Sequence, residues 1–154
     1  MKRYTLLFII ATIVLGTTSC DSRKVYDHYE HISVSGWDKN QRLEFDIAPV
    51  TSDGTYALDL GLRTNGDYPF MRLTLVVECA AFPAKKTTTQ KINCNLIDER
   101  GKPKGNGVML YQYNFHVNDL QLNAGDSLHI TVRHDMRREI LPGISDIGLT
   151  LAKD

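Results

Sequence analysis

Tyr56-Ala57-Leu58-Asp59-Leu60-Gly61-Leu62-Arg63 decides the fold class. Tyr56, Leu58, Leu60 and Leu62 share one parity, and Ala57, Asp59, Gly61 and Arg63 share the other. A β-strand turns successive side chains to opposite faces, so this stretch reads as a strand with one buried face. The same period recurs on both sides of it. Leu43-Glu44-Phe45-Asp46-Ile47 alternates cleanly. Leu73, Leu75, Val77 and Cys79 share a face, as do Ile92, Cys94 and Leu96. Further runs follow at Val108–Phe115, at Ser127–His134 with Leu128, Ile130 and Val132 inward, and at Ile147–Leu151. After residue 20 no stretch keeps a helical period.

The breaks between these runs are turn chemistry: Ser52-Asp53-Gly54, Asn65-Gly66-Asp67, the glycine-rich Gly101–Gly107, and Asn123-Ala124-Gly125-Asp126. Seven or eight strands at this spacing predict an all-β domain. The expected form is an antiparallel β-sandwich, jelly-roll or immunoglobulin-like, with a barrel as the alternative. The expected span of the domain is 37–154. No internal repeat or second domain interrupts it.

The N-terminus reads as an address. Lys2 and Arg3 precede an apolar stretch, Leu6–Leu15, of about ten residues. That is shorter than the roughly twenty residues a membrane helix needs, and it fits the core of a secretory signal. Gly16-Thr17-Thr18-Ser19 leads straight into Cys20. Small residues before a lone cysteine resemble a bacterial lipobox, although Thr17 stands where Leu is usual. The expectation is a lipoprotein signal peptide over 1–19, a lipidated N-terminus and tether over 20–36, and acyl chains on Cys20. Two chains anchor a protein stably, at about 0.8 kcal/mol per buried methylene. The single acid Asp21 precedes Arg23 and Lys24, so the domain is expected to face the periplasm.

Charge excludes one class of function. The chain carries 18 basic and 18 acidic residues. With Lys2 and Arg3 removed in the leader, 16 basic residues stand against 18 acidic ones. Nucleic-acid binding needs a concentrated basic face, which this balance does not suggest.

Catalytic and metal signatures are missing. His28 and His31 are three apart, a ligand spacing only on a helix, while His129 and His134 fall on opposite sides of a strand. No cysteine pair has zinc-knuckle spacing. Asp126, Ser127 and His129 form a turn and a strand start, not a triad, and Gly101–Gly107 leads into a strand rather than a helix. The reading is therefore non-enzymatic, with no cofactor and no metal.

Three constellations remain as candidates. Cys79 and Cys94 lie on the apolar parity of adjacent runs, near-symmetric about a hairpin loop at Lys85–Gln90. They read either as a cross-strand disulfide in an oxidising compartment or as two buried thiols. Trp37, Tyr68 and Phe70 read either as aromatics of a sugar site or as closure of the sandwich core. Arg63 and Arg72 read either as outward partner contacts or as partners of Asp67 or Asp46. Arg137 and Arg138 read either as a partner contact or as weak pairs with Asp135, Glu139 or Asp146.

Several motifs carry a resemblance. Val25-Tyr26-Asp27-His28-Tyr29 is followed by Gly36-Trp37 and Phe45, then by Leu60-Gly61-Leu62-Arg63-Thr64-Asn65 and Tyr68-Pro69-Phe70-Met71-Arg72-Leu73. Met136-Arg137-Arg138-Glu139-Ile140-Leu141-Pro142-Gly143-Ile144-Ser145-Asp146-Ile147-Gly148-Leu149 is the most specific. Together they resemble the gliding motility-associated lipoproteins called GldH, a family of the Bacteroidota. The resemblance implies a periplasmic, membrane-anchored lipoprotein linked to the gliding machinery and to type IX secretion. Its partners would be an envelope protein complex, and no catalytic residue is implied. A carbohydrate- or peptidoglycan-binding module of the same fold is the alternative.

Overall fold

A computed structural model describes residues 23–154. Residues 1–22 lie outside it, so the expected signal peptide and Cys20 are not among the described residues. The described residues form ten strands: β1 Lys24–His31, β2 Trp37–Asp38, β3 Leu43–Ile47, β4 Gly54–Asn65, β5 Arg72–Phe82, β6 Lys86–Asn95, β7 Leu110–Leu122, β8 Ser127–His134, β9 Ile140–Leu141 and β10 Ile144–Lys153. One four-stranded sheet runs β1-β10-β4-β7 and the other β3-β8-β5-β6. Every pairing is antiparallel. Eight strands in these two orders make a jelly roll, which settles the choice left open by the alternation pattern.

The core lies between the sheets. Leu58, Leu60, Leu62, Leu149 and Leu151 from the first sheet meet Leu73, Leu75, Val77, Ile130 and Val132 from the second in one buried cluster. The alternation of β4 and β8 therefore does what it predicts. Fully burying each such side chain is worth about 1.5–3 kcal/mol. β6 closes one edge of its sheet with Lys86-Thr87-Thr88-Thr89-Gln90-Lys91. Polar and lysine-bearing edges of this kind discourage pairing with other chains.

Two expectations are corrected. The segment 20–36 is not all tether: Lys24–His31 is β1, paired with β10 from Lys24↔Ala152 to His31↔Asp146. The domain begins at Lys24 rather than at residue 37. β1 is an edge strand of mostly exposed, polar side chains, so it lacks the apolar parity that marked the others. The strand expected at Val108–Phe115 starts at Leu110 and runs on to Leu122.

The topology gives the sandwich two unlike ends. Residue 23, the turns 48–53, 83–85 and 123–126, and the C-terminus share one end, where Lys153 N–H donates to the Arg23 carbonyl (2.8 Å). The loops 32–42, 66–71, 96–109 and 135–143 share the other; each crosses between the sheets, as do 48–53 and 123–126 at the first end. The twelve residues of β4 span the distance between the ends, about 36 Å at roughly 3.3 Å per residue.

Candidate functional site

The motif residues converge on the outer face of the first sheet. Gly61 in β4 and Gly148 in β10 are register partners, and Gly148 also pairs with Tyr29 in β1. A Cβ on Gly148 would stand 2.6 Å from the Tyr29 ring, and one on Gly61 would strike the Tyr29 hydroxyl. The two glycines thus form a bed on which the ring lies flat. Glycine inside a strand commonly marks such a close approach. The Arg63 guanidinium sits 4.1 Å from the ring centroid, and its Nε donates to Gln112 Oε1 (3.3 Å). Gln112 Nε2 in turn donates to the Tyr29 hydroxyl (3.3 Å). Arg63 is therefore a stacked, half-buried joint across β1, β4 and β7. It pairs with neither Asp67 nor Asp46. A groove of about 310 Å³ beside it is lined by Asp27, Asp59, Asn114 and Thr150.

The most specific motif fastens the far end. Gly143 adopts φ +80° and accepts the Asn65 N–H through its carbonyl (2.8 Å). Its α-carbon faces the backbone of Asp67 and Tyr68 with no room for a side chain. Met136 Sδ accepts the Thr74 N–H (3.4 Å). Arg72, Arg137 and Arg138 are exposed, and none forms an ion pair among the described residues.

The aromatic trio does not form a sugar platform. Trp37 is 0% exposed, its ring edge-on to His134 with centroids 5.3 Å apart and its Nε1 donating to the Gln41 carbonyl (3.2 Å). Tyr68 and Phe70 are half-buried against the core and pack edge-on to each other at 5.6 Å. The Tyr68 hydroxyl donates to the Arg72 carbonyl (2.8 Å), and burial raises its pKa. Of the two readings of these aromatics, closure of the sandwich core is the one the geometry matches. The two-residue pairing of β2 with β9 folds Trp37 under a ribbon that caps the core.

Of the two readings of the cysteines, the geometry matches two buried thiols and not a cross-strand disulfide. Cys79 and Cys94 are both free and buried. Cys79 pairs with Thr88 and Cys94 with Leu73, so the two thiols sit six rungs apart on the β5–β6 hairpin. Six rungs are about 20 Å, far beyond the roughly 7 Å limit for Cα atoms of a disulfide. The hairpin turns at residues 83–85, three residues earlier than the symmetric placement required. Burial pushes the Cys79 thiol up to about 11 and the Cys94 thiol up to about 12.

The histidines are all tied locally. His28 pairs with Glu30 (3.0 Å), His31 with Asp146 (3.2 Å), His116 with Asp59 (2.9 Å) and His129 with Asp46 (2.7 Å). His134 is 0% exposed. Its Nε2–H donates to the Trp37 carbonyl (3.2 Å) and its Nδ1 accepts the Met136 N–H (3.4 Å). Burial, the largest cause, lowers its pKa. Among the described residues no group of three or more His, Cys, Asp or Glu gathers around a metal-sized space.

The model of the GldH lipoprotein family matches residues 24–151. The chain belongs to that family. The matched span begins at the first residue of β1, in keeping with the corrected domain boundary. The "gliding motility lipoprotein GldH" of Flavobacterium johnsoniae is 28% identical over 152 residues, covering 94% of this chain and 93% of its own. The "gliding motility lipoprotein GldH homolog" of Christiangramia forsetii is 25% identical over 159 residues, covering 97% and 96%. Membership in a lipoprotein family makes the chain a membrane-anchored one. Among solved structures, a family GH115 4-O-methyl-α-glucuronidase matches 88% of this chain with 18% of its own, at a TM-score of 0.51 and 13% identity. At that identity the likeness is one of fold alone.

Sequence reading missed two features. The Tyr29 stack joins strands far apart in the chain, and only the intrastrand glycines Gly61 and Gly148 hinted at it. The apolar side chains of the far-end loops carried no periodic signal at all.

Proposed function

We propose that this GldH family member is a non-enzymatic subunit of an envelope complex serving gliding motility or type IX secretion. Lipid on Cys20 holds it in the membrane, and the sandwich stands in the periplasm. The observation that carries this reading is the position of β1. The rigid domain starts at Lys24, only four residues after Cys20. Four residues reach at most about 14 Å, so the anchor end stays close to the bilayer. The domain then has a fixed polarity, with the loops 32–42, 66–71, 96–109 and 135–143 held away from the membrane. Its five histidines are each held by a local contact, and its interior is filled largely with aliphatic side chains. That is the construction of a spacer that presents a surface.

The test is affinity purification of the tagged, lipidated protein from detergent-solubilised membranes. Stoichiometric co-recovery of gliding or secretion proteins is expected. Recovery of glycan with no protein partner would contradict the subunit reading and point to the sugar-binding alternative.

A further inference from the structure

β6 and β7 are outer edges of the two sheets, and they face each other along one side of the sandwich. A cleft of about 530 Å³ opens between them. Asn95 of β6, Asn106 of the loop 96–109, and Gln112 and Asn114 of β7 bring four carboxamides together in its lining. Lys104 is the single charged residue among the described residues that line it. The rings of Tyr113 and Phe115 line it too, parallel to within 8° with centroids 6.2 Å apart.

The local sequence holds this cleft in shape. Asn106 and Gln112 exchange two backbone hydrogen bonds (2.9 Å each) along the side of β7 that faces away from β4. A Cβ on Gly105 would stand 2.7 Å from the Tyr113 ring, and one on Gly107 would strike the Leu110 carbonyl. The glycine-rich stretch Gly101–Gly107 therefore lets the loop lie tight against β7 and carry Asn106 to the rim. Gln112 is oriented by the Arg63–Tyr29 stack, since its Oε1 accepts the Arg63 Nε–H and its Nε2 donates to the Tyr29 hydroxyl (3.3 Å each). Asn95, Asn106 and Asn114 are exposed, and their side-chain amides have no protein partner among the described residues. Each offers two donors and an acceptor oxygen.

That chemistry selects an occupant. Sugar hydroxyls donate and accept at once, which matches rows of open amides, and the apolar face of a sugar ring packs on an aromatic one. An added peptide strand needs the backbone groups of an open sheet edge, and at Gln112 Asn106 already takes them. A nucleic acid needs clustered cations. Lys104 stands alone in the cleft, and Arg63 is committed to Tyr29 and Gln112. Gln112 and Asn114 also line the groove of about 310 Å³ on the outer face of the first sheet, where Asp59 and Thr150 continue the polar surface. The two spaces meet at these residues, which suits a chain of sugars rather than a single ring.

We propose that the β6–β7 cleft binds a polysaccharide chain of uncharged sugar rings, held by Asn95, Asn106, Gln112 and Asn114 and running over the edge of β7. This goes beyond the subunit reading and does not rest on it, because a subunit can hold a glycan and a protein partner at once.

The test is isothermal titration calorimetry of the full, lipidated chain in micelles of a detergent without a sugar headgroup. The probes are chitohexaose, cellohexaose and mannohexaose, each beside its disaccharide. Saturable one-to-one binding of at least one hexaose is expected, with its disaccharide about tenfold weaker or worse. Binding of chitohexaose alone would identify an N-acetylated chain, and binding of cellohexaose or mannohexaose a plain hydroxylated one; either result supports the proposal. Asn106→Ala and Asn114→Ala should each weaken binding about tenfold, since each removes hydrogen bonds to the ligand. Their Tm should not change, because neither amide has a protein partner. Thr89→Ala, on the exposed outer face of the second sheet, should bind as the parent does. No saturable binding of any hexaose would overturn the proposal. So would affinity that both asparagine variants leave intact, or equal affinity for hexaose and disaccharide. Failure to co-purify a protein partner would sink the subunit reading and leave these results standing.

Discussion

Gly143→Ala should destabilise the domain far more than its backbone conformation alone explains. Gly143 and Gly101 both adopt φ +80°. An L-residue forced into that region costs about 1–2 kcal/mol. Alanine returns about 0.4–1 kcal/mol by restricting the unfolded chain. The surroundings differ: a Cβ on Gly101 meets nothing within 4 Å, whereas one on Gly143 would stand 2.6 Å from Tyr68 Cα and 2.7 Å from the Asp67 carbonyl carbon. Those neighbours are backbone and cannot rotate aside. Relieving such an overlap adds about 1–3 kcal/mol. The net expectation is about 2–4 kcal/mol for Gly143→Ala and about 0.5–1 kcal/mol for Gly101→Ala. A domain of this size loses about 4 °C of Tm per kcal/mol. Thermal unfolding of the soluble domain should therefore drop by about 8–16 °C for the first variant and about 2–4 °C for the second. Equal drops would refute the claim that the Gly143 motif is a backbone-to-backbone joint.

Three further outcomes follow from buried groups. Trp37→Ala removes the largest fully buried side chain and should cost about 3–5 kcal/mol, read as a fall in the urea midpoint without a change in slope; near-wild-type stability would show that the β2–β9 ribbon does not cap the core. His134 has a folded pKa below its unfolded value, so the unfolded chain takes up a proton that the folded one refuses. Stability is then complete above the unfolded value of about 6.5 and is lost as pH falls toward the folded value; His134→Gln should flatten that acid-side loss, and an unchanged pH profile would count against it. Cys79 and Cys94 should resist a thiol reagent in the native protein, because burial suppresses both thiolates, and both should react in unreduced, denatured protein; protection after denaturation would mean a disulfide.

The sheets were legible where burial is one-sided. In β4 and β8 the inner face is mostly aliphatic and the outer face is not, so parity alone exposes them. β1 was hidden because an edge strand can be polar on both sides, and Tyr29 packs on glycines of other strands rather than on its own parity. The disulfide reading failed because a hairpin's centre depends on its turn, and a shift of three residues moves a facing pair six rungs apart. Trp37 stayed open between a sugar site and core closure because no local pattern shows the β2–β9 ribbon that buries it. Arg72, Arg137 and Arg138 stayed open between outward contacts and ion pairs, because their shared exposed position at the far end depends on topology that no local pattern encodes.

The account turns on a rigid domain held by one end, and its most direct test is complementation of a strain lacking the gene. Cys20→Ala should be released into the soluble fraction and fail to restore gliding or secretion. The same variant anchored instead through its C-terminus, which shares an end with Arg23, should restore both membrane retention and function. Full restoration by the unanchored Cys20→Ala domain would contradict the account.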